Sequence, residues 1–527
     1  MKSRYKFRVL LFPVLGSLAA CGGGGGGGGG GSSSGTGSTW TPNVFLPSTS
    51  FDNMCAAPRA GTSDRQGTIA DENRWLRSWS NELYLWYSEI TDRDPSAYST
   101  TSDYFKLLTT TATTASGQKK DKFHFTYPTT VWQALSQGGT EAGYGAEFAI
   151  LPGDNGVTAL RHIRVAYTDP NTPAATNLAR GDEILQVDGA DAVNGNTQAI
   201  IDALNAGLFP DTTGESHSLL VRNLAGTTRT VTMSSATITH SPVPIVTVFN
   251  PNTDPVGYLQ FNDHIATAEQ PLINAVNTLK GGHITDLVLD IRYNGGGYLD
   301  MASELAYMIA NTTLTTGQTF EKIVFNSKNP TRNPVTNETL TPTPFHTTSQ
   351  GFQGASGQAL PTLNLDRVYI IVGPGTCSAS ESIINSLRGV NVQVYLIGST
   401  TCGKPYGFYP TDNCGTTYFT IQFRGENAAN FGDYTDGFSP ANQPAPAGTS
   451  VAGCSVADDF AHPMGDMTEG RVAAALAFRA SNNQSCPVAS GFAPPNISKA
   501  SSFADADQPL EISKPAARLN RIVRIGT

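Results

Sequence analysis

The sequence predicts an α/β core with a mostly parallel sheet, preceded by a helical domain and a separate strand-rich domain. Three observations carry that prediction. From residue 255 onward, apolar β-branched runs ("VGYLQF", "TDLVLDIR", "RVYIIV", "VQVYLIG") alternate with helical patterns ("AEQPLINAVNTLK", "MASELAYMI", "SIINSL"), the order of parallel strands joined by crossover helices. From about 140 to 240 the pattern becomes short strands separated by Gly-containing turns. From 66 to 137 apolar residues recur at helical spacing instead. A chain of 527 residues has room for roughly three domains at ~150 residues each.

Residues 1–20 stand apart. Lys2, Arg4, Lys6 and Arg8 precede an apolar run that ends in "LAAC" at Cys21, a secretory signal too short to persist as a membrane-spanning helix. "LAAC" resembles the lipobox of bacterial lipoproteins, which implies that Cys21 is lipidated; an ordinary signal peptide with a chance cysteine is the plainer alternative. Gly22 resembles the outer-membrane sorting pattern of Gram-negative lipoproteins, which implies a lipid-anchored protein of the bacterial cell envelope. Gly22 to Gly31 and then "SSSGTGST" make residues 21–65 a flexible tether. No later run is apolar for long enough to span a bilayer. The net charge is −9 and becomes more negative when the four basic residues leave with the signal, which argues against nucleic acid as a partner.

In the helical domain (66–137), Leu76, Trp79, Leu83, Trp86 and Ile90 form one apolar stripe, and "SDYFKLL" and "VWQAL" read as shorter helices. In the next domain (138–240), "GYGAEFAIL" and "ALRHIRVAY" read as strands, "TPAATNL" as a short helix and "GDEILQVDG" as a strand entering a turn. "NTQAIIDALNAG" is then a helix and "HSLLVRNLAGTTRTVTM" a hairpin. This order, with "LARGDEILQVDG", resembles a PDZ domain, in which a peptide carboxylate docks on backbone N–H groups beside an exposed strand edge. By position the docking loop would be Gly143, Tyr144, Gly145 and Ala146; an ordinary turn is the alternative. The core occupies 241–480 with a loop-rich insertion at about 326–362, and the polar 481–527 read as a tail. Beyond Cys21, Cys55, Cys377, Cys402, Cys414, Cys454 and Cys486 are an even set in an exported chain, which suggests disulfides. Cys402–Cys414, flanking an expected hairpin "GKPYGFYPTDN", is the first expected bridge and Cys454–Cys486 the second. Neither C-x-x-C nor H-E-x-x-H occurs, so no zinc site is expected.

The chemistry concentrates in three segments. "GTCSASES" (375–382) follows the strand "RVYIIV" and runs into a helix. Ser378 and Glu381 match a capping box, S-x-x-E, which is one reading. The other is catalytic: a serine at such a corner is held by rigid elements, and the helix N-terminus offers unpaired N–H groups and a dipole that favours developing negative charge. A serine needs an adjacent base. Lys404 follows the next strand, and successive parallel strands emerge on one sheet edge, so the two segments can be neighbours. Sheltered by apolar and aromatic residues such as Tyr406 and Phe408, its amine could be desolvated into a neutral base; a surface lysine is the alternative. Third, "DIRYNGGGYLD" (290–300) ends the strand "TDLVLD", and its glycines would let the backbone approach a ligand, or simply turn. It lacks the residues of a phosphate loop.

Together, Asp290-Ile291-Arg292-Tyr293-Asn294-Gly295-Gly296-Gly297, Thr376-Cys377-Ser378-Ala379-Ser380-Glu381 and Thr401-Cys402-Gly403-Lys404 resemble the C-terminal processing peptidases, or tail-specific proteases. "ENRWLRSWSNELYLWYSEI" and "KDKFHF" also resemble the family's lead-in. The resemblance spans roughly 66–480 and implies an α/β catalytic core, a crotonase/ClpP-like sheet-and-helix core, with an inserted PDZ-like domain and an N-terminal helical domain. It implies Ser378 as nucleophile, Lys404 as general base, and an oxyanion hole from Gly296 or Gly297 and Ala379. Many members carry a glutamine four residues after the lysine to orient it; Phe408 stands there. Some relatives use a histidine base, for which His264 is the residue to follow.

The expected function is a serine endopeptidase with a Ser378–Lys404 dyad, acting on unfolded polypeptides or exposed C-termini, membrane-tethered through Cys21, with no metal or organic cofactor implied. The rival is a non-catalytic PDZ peptide-binding lipoprotein on a degenerate protease core.

Overall fold

The computed structural model describes residues 40–153, 160–250, 253–446 and 448–490, and the backbone of the pair 521–522. Cys21, the signal segment, the polyglycine and most of the tail lie outside the described residues. Helix α1 (Ile69–Leu83) starts at a capping box between Thr68 and Asp71 and buries Trp75, Leu76, Trp79 and Leu83. It stops there, because the chain turns extended at Tyr84, so Trp86 and Ile90 follow the helix rather than extend its stripe. A short helix α2 (Thr101–Phe105), a strand β1 (Phe125–Pro128) and a helix α3 (Thr129–Gly138) complete the region. Residues 40–65 are not wholly tether: Met54–Cys55 pairs with Arg65–Gln66, and Cys55 is bonded to Cys414.

The strand-rich domain follows the expected order. It comprises β2 (Thr140–Gly143), β3 (Ala146–Pro152), β4 (Arg161–Thr168), α4 (Pro173–Asn177), β5 (Glu183–Val187), α5 (Gln198–Leu208), β6 (Ser216–Arg222), β7 (Thr228–Ser234) and β8 (Ala236–Thr239). Its main sheet runs β7-β6-β5-β4-β3, which leaves β3 at the edge of that path. Strands β2 and β8 pair antiparallel where the chain enters and leaves.

The core sheet comprises β9 (Ile245–Phe249), β10 (Val256–Gln260), β11 (Asp286–Asp290), β13 (Arg367–Val372), β14 (Gln393–Gly398) and β17 (Gly453–Ser455), in the order β9-β10-β11-β13-β14-β17. All neighbours are parallel except the edge strand β9. Between these strands lie α6 (Glu269–Gly281), β12 (Gly297–Tyr298), α7 (Leu299–Ile309), α8 (Ala379–Gly389), β15 (Thr411–Asn413) and β16 (Thr416–Phe419), and α9 (Gly470–Ala480) follows them. Fully buried apolar runs such as Leu287, Val288 and Leu289 are what a sheet covered on both faces requires. Register places Asp290 beside Ile371 and Val372 beside Gly398, so the segments that follow β11, β13 and β14 emerge at one edge. Residues 521–522 form β18, which pairs in parallel with β12.

The disulfides correct one expectation and match another. Cys454–Cys486 forms. Cys402 is bonded to Cys377 rather than Cys414, because "GKPYGFYPTDN" is not one hairpin: Tyr406–Gly407 pairs with Phe423–Arg424, whereas the hairpin is β15–β16, turning at Cys414–Gly415.

One buried carboxyl sets a pH dependence. Glu304 on α7 accepts the Gln350 N–H at 2.7 Å, and burial together with the Glu269 carboxylate pushes its carboxyl up to about 9. Between the ordinary carboxyl range and that value the folded chain keeps a proton that the unfolded chain has released, so stability falls as pH rises through the window. Glu304→Gln keeps the acceptor and removes the titration. Thermal unfolding should show the variant more stable than wild type at pH 8, with the gap closing toward pH 4.5.

Candidate active site

Strand β13 delivers the chain to Gly373, and α8 starts at Ala379. Ser378 between them has φ +60° and ψ −116°, a conformation that costs a residue with a Cβ about 1–3 kcal/mol. Only the glutamate half of the expected capping box forms: the Ser378 N–H donates to Glu381 Oε2 at 3.0 Å, while Ser378 Oγ is buried with no hydrogen-bond partner among the described residues. The serine therefore starts the helix with its backbone and keeps its hydroxyl out of the cap.

The glycine segment is fastened to this corner through Asn294. Its carbonyl accepts the Cys377 N–H at 3.1 Å and the Ser380 hydroxyl at 3.0 Å, and Thr376 Oγ donates to Ile291 O at 2.9 Å. Asn294 Oδ1 accepts the Gly296 N–H at 3.0 Å, so of the two glycines expected to serve an oxyanion, Gly296 has its donor engaged. The His264 N–H donates to Gly296 O and the Tyr298 N–H to His264 O. Because alternate residues of a strand point their N–H groups to opposite sides, that of Gly297 faces away from His264, toward the side where β18 pairs. Gly297 has φ +137°, and a Cβ there would lie 2.5 Å from His264 O, so the backbone approach requires glycine. The Ala379 N–H, first in α8, has no acceptor within the helix.

His264 belongs to this segment. Its Nδ1 lies 2.9 Å from Asn294 Oδ1, its Nε2 has no hydrogen-bond partner among the described residues, and burial lowers its pKa to about 3, so the ring is neutral. It lines a small pocket with Trp132, Leu135, Gly297 and Tyr298.

The lysine segment meets the nucleophile corner at Glu381. Glu381 Oε1 accepts the Thr401 hydroxyl at 2.5 Å and the Gly403 N–H at 2.9 Å; Oε2 accepts the Lys404 N–H at 2.8 Å as well as that of Ser378. Burial pushes the Glu381 carboxyl up, against the pull of the Thr401 hydroxyl and these N–H groups. The Cys402 N–H donates to Thr376 O at 3.0 Å, and the Cys377–Cys402 disulfide closes the same junction. A Glu381 carboxylate oxygen and the two sulfurs lie within 4.8 Å of one another, but the sulfurs bond each other, which leaves no thiolate for a metal. Lys404 is fully buried, its Nζ 4.7 Å from the Phe123 ring centre and 4.5 Å from that of Phe408. The residue at 408 is thus an aromatic wall against the lysine.

Sequence reasoning missed Phe123, which reaches Lys404 from the helical domain, and the bond from Glu381 to the lysine segment. Neither leaves a periodic signal, since each joins residues remote in sequence.

In the strand-rich domain, Tyr144 packs into the domain core and its carbonyl accepts the Ala174 N–H at 2.9 Å. Gly145 has φ +75°, with its carbonyl accepting the Asp169 N–H, and Ala146 opens the edge strand β3; Gly143 closes β2. Arg180 of this domain bonds Asp458 and the backbone of Asp459 and His462, and also contacts Tyr293 of the glycine segment. Arg292, wholly buried, is held by Asp290, Asp458 and Glu469.

Two family models match the chain: peptidase family S41 over residues 255–408, which contains all three segments, and the peptidase S41 N-terminal domain over 71–127. Over these residues the chain matches peptidase family S41. A carboxyl-terminal-processing protease of Picosynechococcus sp. is 25% identical over 272 residues, 51% of this chain; the match spans 56% of that relative's length. The crystal structure of an S41 protease of Bacteroides fragilis aligns with a TM-score of 0.55 at 21% identity, covering 78% of this chain and 98% of that one. The structure of a photosystem II D1 C-terminal processing protease aligns over 71% of this chain and 91% of its own, at 18% identity and a TM-score of 0.41.

The strain at Ser378 is separable from its chemistry. Ser378→Gly should unfold at higher denaturant than Ser378→Ala by about 1 kcal/mol, because only glycine adopts this backbone without cost. Equal stabilities in denaturant melts would show that no strain is stored there.

Proposed function

We propose that this protein is an S41 family serine endopeptidase working through a Ser378–Lys404 dyad. One observation carries the reading: the strained, unpaired Ser378 and the buried Lys404 sit on two segments tied together through Glu381. Lys404 accepts the Ser378 hydroxyl proton as Oγ attacks a peptide carbonyl. With substrate in place of β18 on the β12 edge, the N–H groups of Gly297 and Ala379 face the resulting oxyanion. Lys404 then gives the proton to the leaving amine, and water releases the acyl chain by the same sequence in reverse.

The substrate edge is β12. Its pairing with 521–522 of the same chain is a backbone-to-backbone ladder, which supports an extended polypeptide as the ligand class. The strand-rich domain supplies a second peptide site at Gly143 to Ala146 beside the β3 edge, which takes exposed C-termini. Lipidation at Cys21 places the enzyme on the cell envelope, at the outer membrane.

A fluorophosphonate probe tests the dyad. Wild type should label at one serine and degrade an unfolded protein, Ser378→Ala should do neither, and Lys404→Ala should lose about 10²–10⁴-fold in both. Equal labelling of all three proteins, or none by wild type, favours the non-catalytic peptide-binding alternative.

A further inference from the structure

We infer that the Cys377–Cys402 disulfide is a positioning device for the dyad, so that full activity belongs to the oxidised enzyme alone. The inference rests on the Ser378–Lys404 reading and adds a condition to it. Cys377 immediately precedes Ser378, and Cys402 lies two residues before Lys404, so the bond joins the two functional segments beside both residues. Both segments are loops at the ends of β13 and β14, where no ladder fixes their separation. Across this junction run the Cys402 N–H to Thr376 O bond, the contacts to Glu381 and this covalent bond. Tyr84, Phe123, Trp132, Tyr406 and Phe408 pack around Cys377, the same apolar cluster that walls Lys404.

The other two disulfides do different work. Cys55–Cys414 ties the N-terminal strand pair to the β15–β16 turn, and Cys454–Cys486 ties β17 to the chain beyond α9. Neither touches a segment carrying a dyad residue.

Access is asymmetric. Cys377 is fully buried and Cys402 only partly so, which makes Cys402 Sγ the sulfur for a small dithiol to attack. A dithiol thiolate attacks Cys402 Sγ, the S–S bond breaks, and its electron pair leaves on the Cys377 sulfur, which takes up a proton. The reagent's second thiol then displaces Cys402 as a free thiol and closes a cyclic disulfide, so two electrons and two protons pass from reagent to protein. The reduced junction keeps its hydrogen bonds but loses the fixed spacing, and a misplacement of this kind costs far more in turnover than in binding.

The test compares wild type with Cys377→Ala/Cys402→Ala, following hydrolysis of a peptide and the rate of fluorophosphonate labelling. The double variant should fold, retain KM, and lose about 10²-fold in kcat and in labelling rate. Dithiothreitol should bring wild type to that level, reversibly on reoxidation, and leave the variant unchanged. Cys55→Ala/Cys414→Ala should lower thermal stability while sparing kcat. Undiminished kcat in the Cys377/Cys402 variant overturns the inference, as does a loss that only tracks the unfolded fraction. Should that variant not fold, full wild-type activity after mass spectrometry finds Cys377 and Cys402 alkylated is equally decisive against it. A wild type that never labels overturns the dyad itself, which is a distinct result.

Discussion

Glu381 presents both carboxylate oxygens to donors from two different loops, and the site depends on that arrangement. From its own helix start it takes the Ser378 N–H; from the loop beyond β14 it takes the N–H groups of Gly403 and Lys404 and the Thr401 hydroxyl. A wholly buried carboxylate is costly unless its oxygens are satisfied, so the two loops must come together for the helix start to be stable. Helix capping and the joining of the Ser378 and Lys404 segments are in this sense one interaction.

The same economy appears at Asn294. Its side chain holds Gly296 and His264, and its carbonyl receives Cys377 and Ser380, so the strand that aims Gly297 is aligned against the helix that begins at Ala379. The two N–H groups that would meet an oxyanion are positioned by one residue that need not touch substrate. Strain at Ser378 is sustained because these bonds over-determine the corner on both sides.

Much of the architecture was legible in the chain. Apolar runs buried on both faces alternate with helical patterns, and that alternation gave the parallel core and the edge from which three glycine- and serine-rich segments emerge. The strand-rich domain was equally legible through its turns. The stripe through Trp86 and Ile90 misled, because periodicity continues past Leu83 while the backbone does not. The Cys402–Cys414 expectation failed for a related reason: short spacing suggested a hairpin, but Tyr406–Gly407 pairs with a strand further along.

The sequence alone determined the order of elements and marked Ser378, Lys404 and the glycines as candidates, because periodicity and short spacings are local properties of the chain. Tertiary structure decided which glycine gives its N–H to Asn294 and which turns it toward β18, which cysteines bond, that Phe123 walls the lysine, and that Glu381 serves two loops. Each of these joins residues brought level by sheet register and packing, and no local pattern encodes a distance between residues remote along the chain.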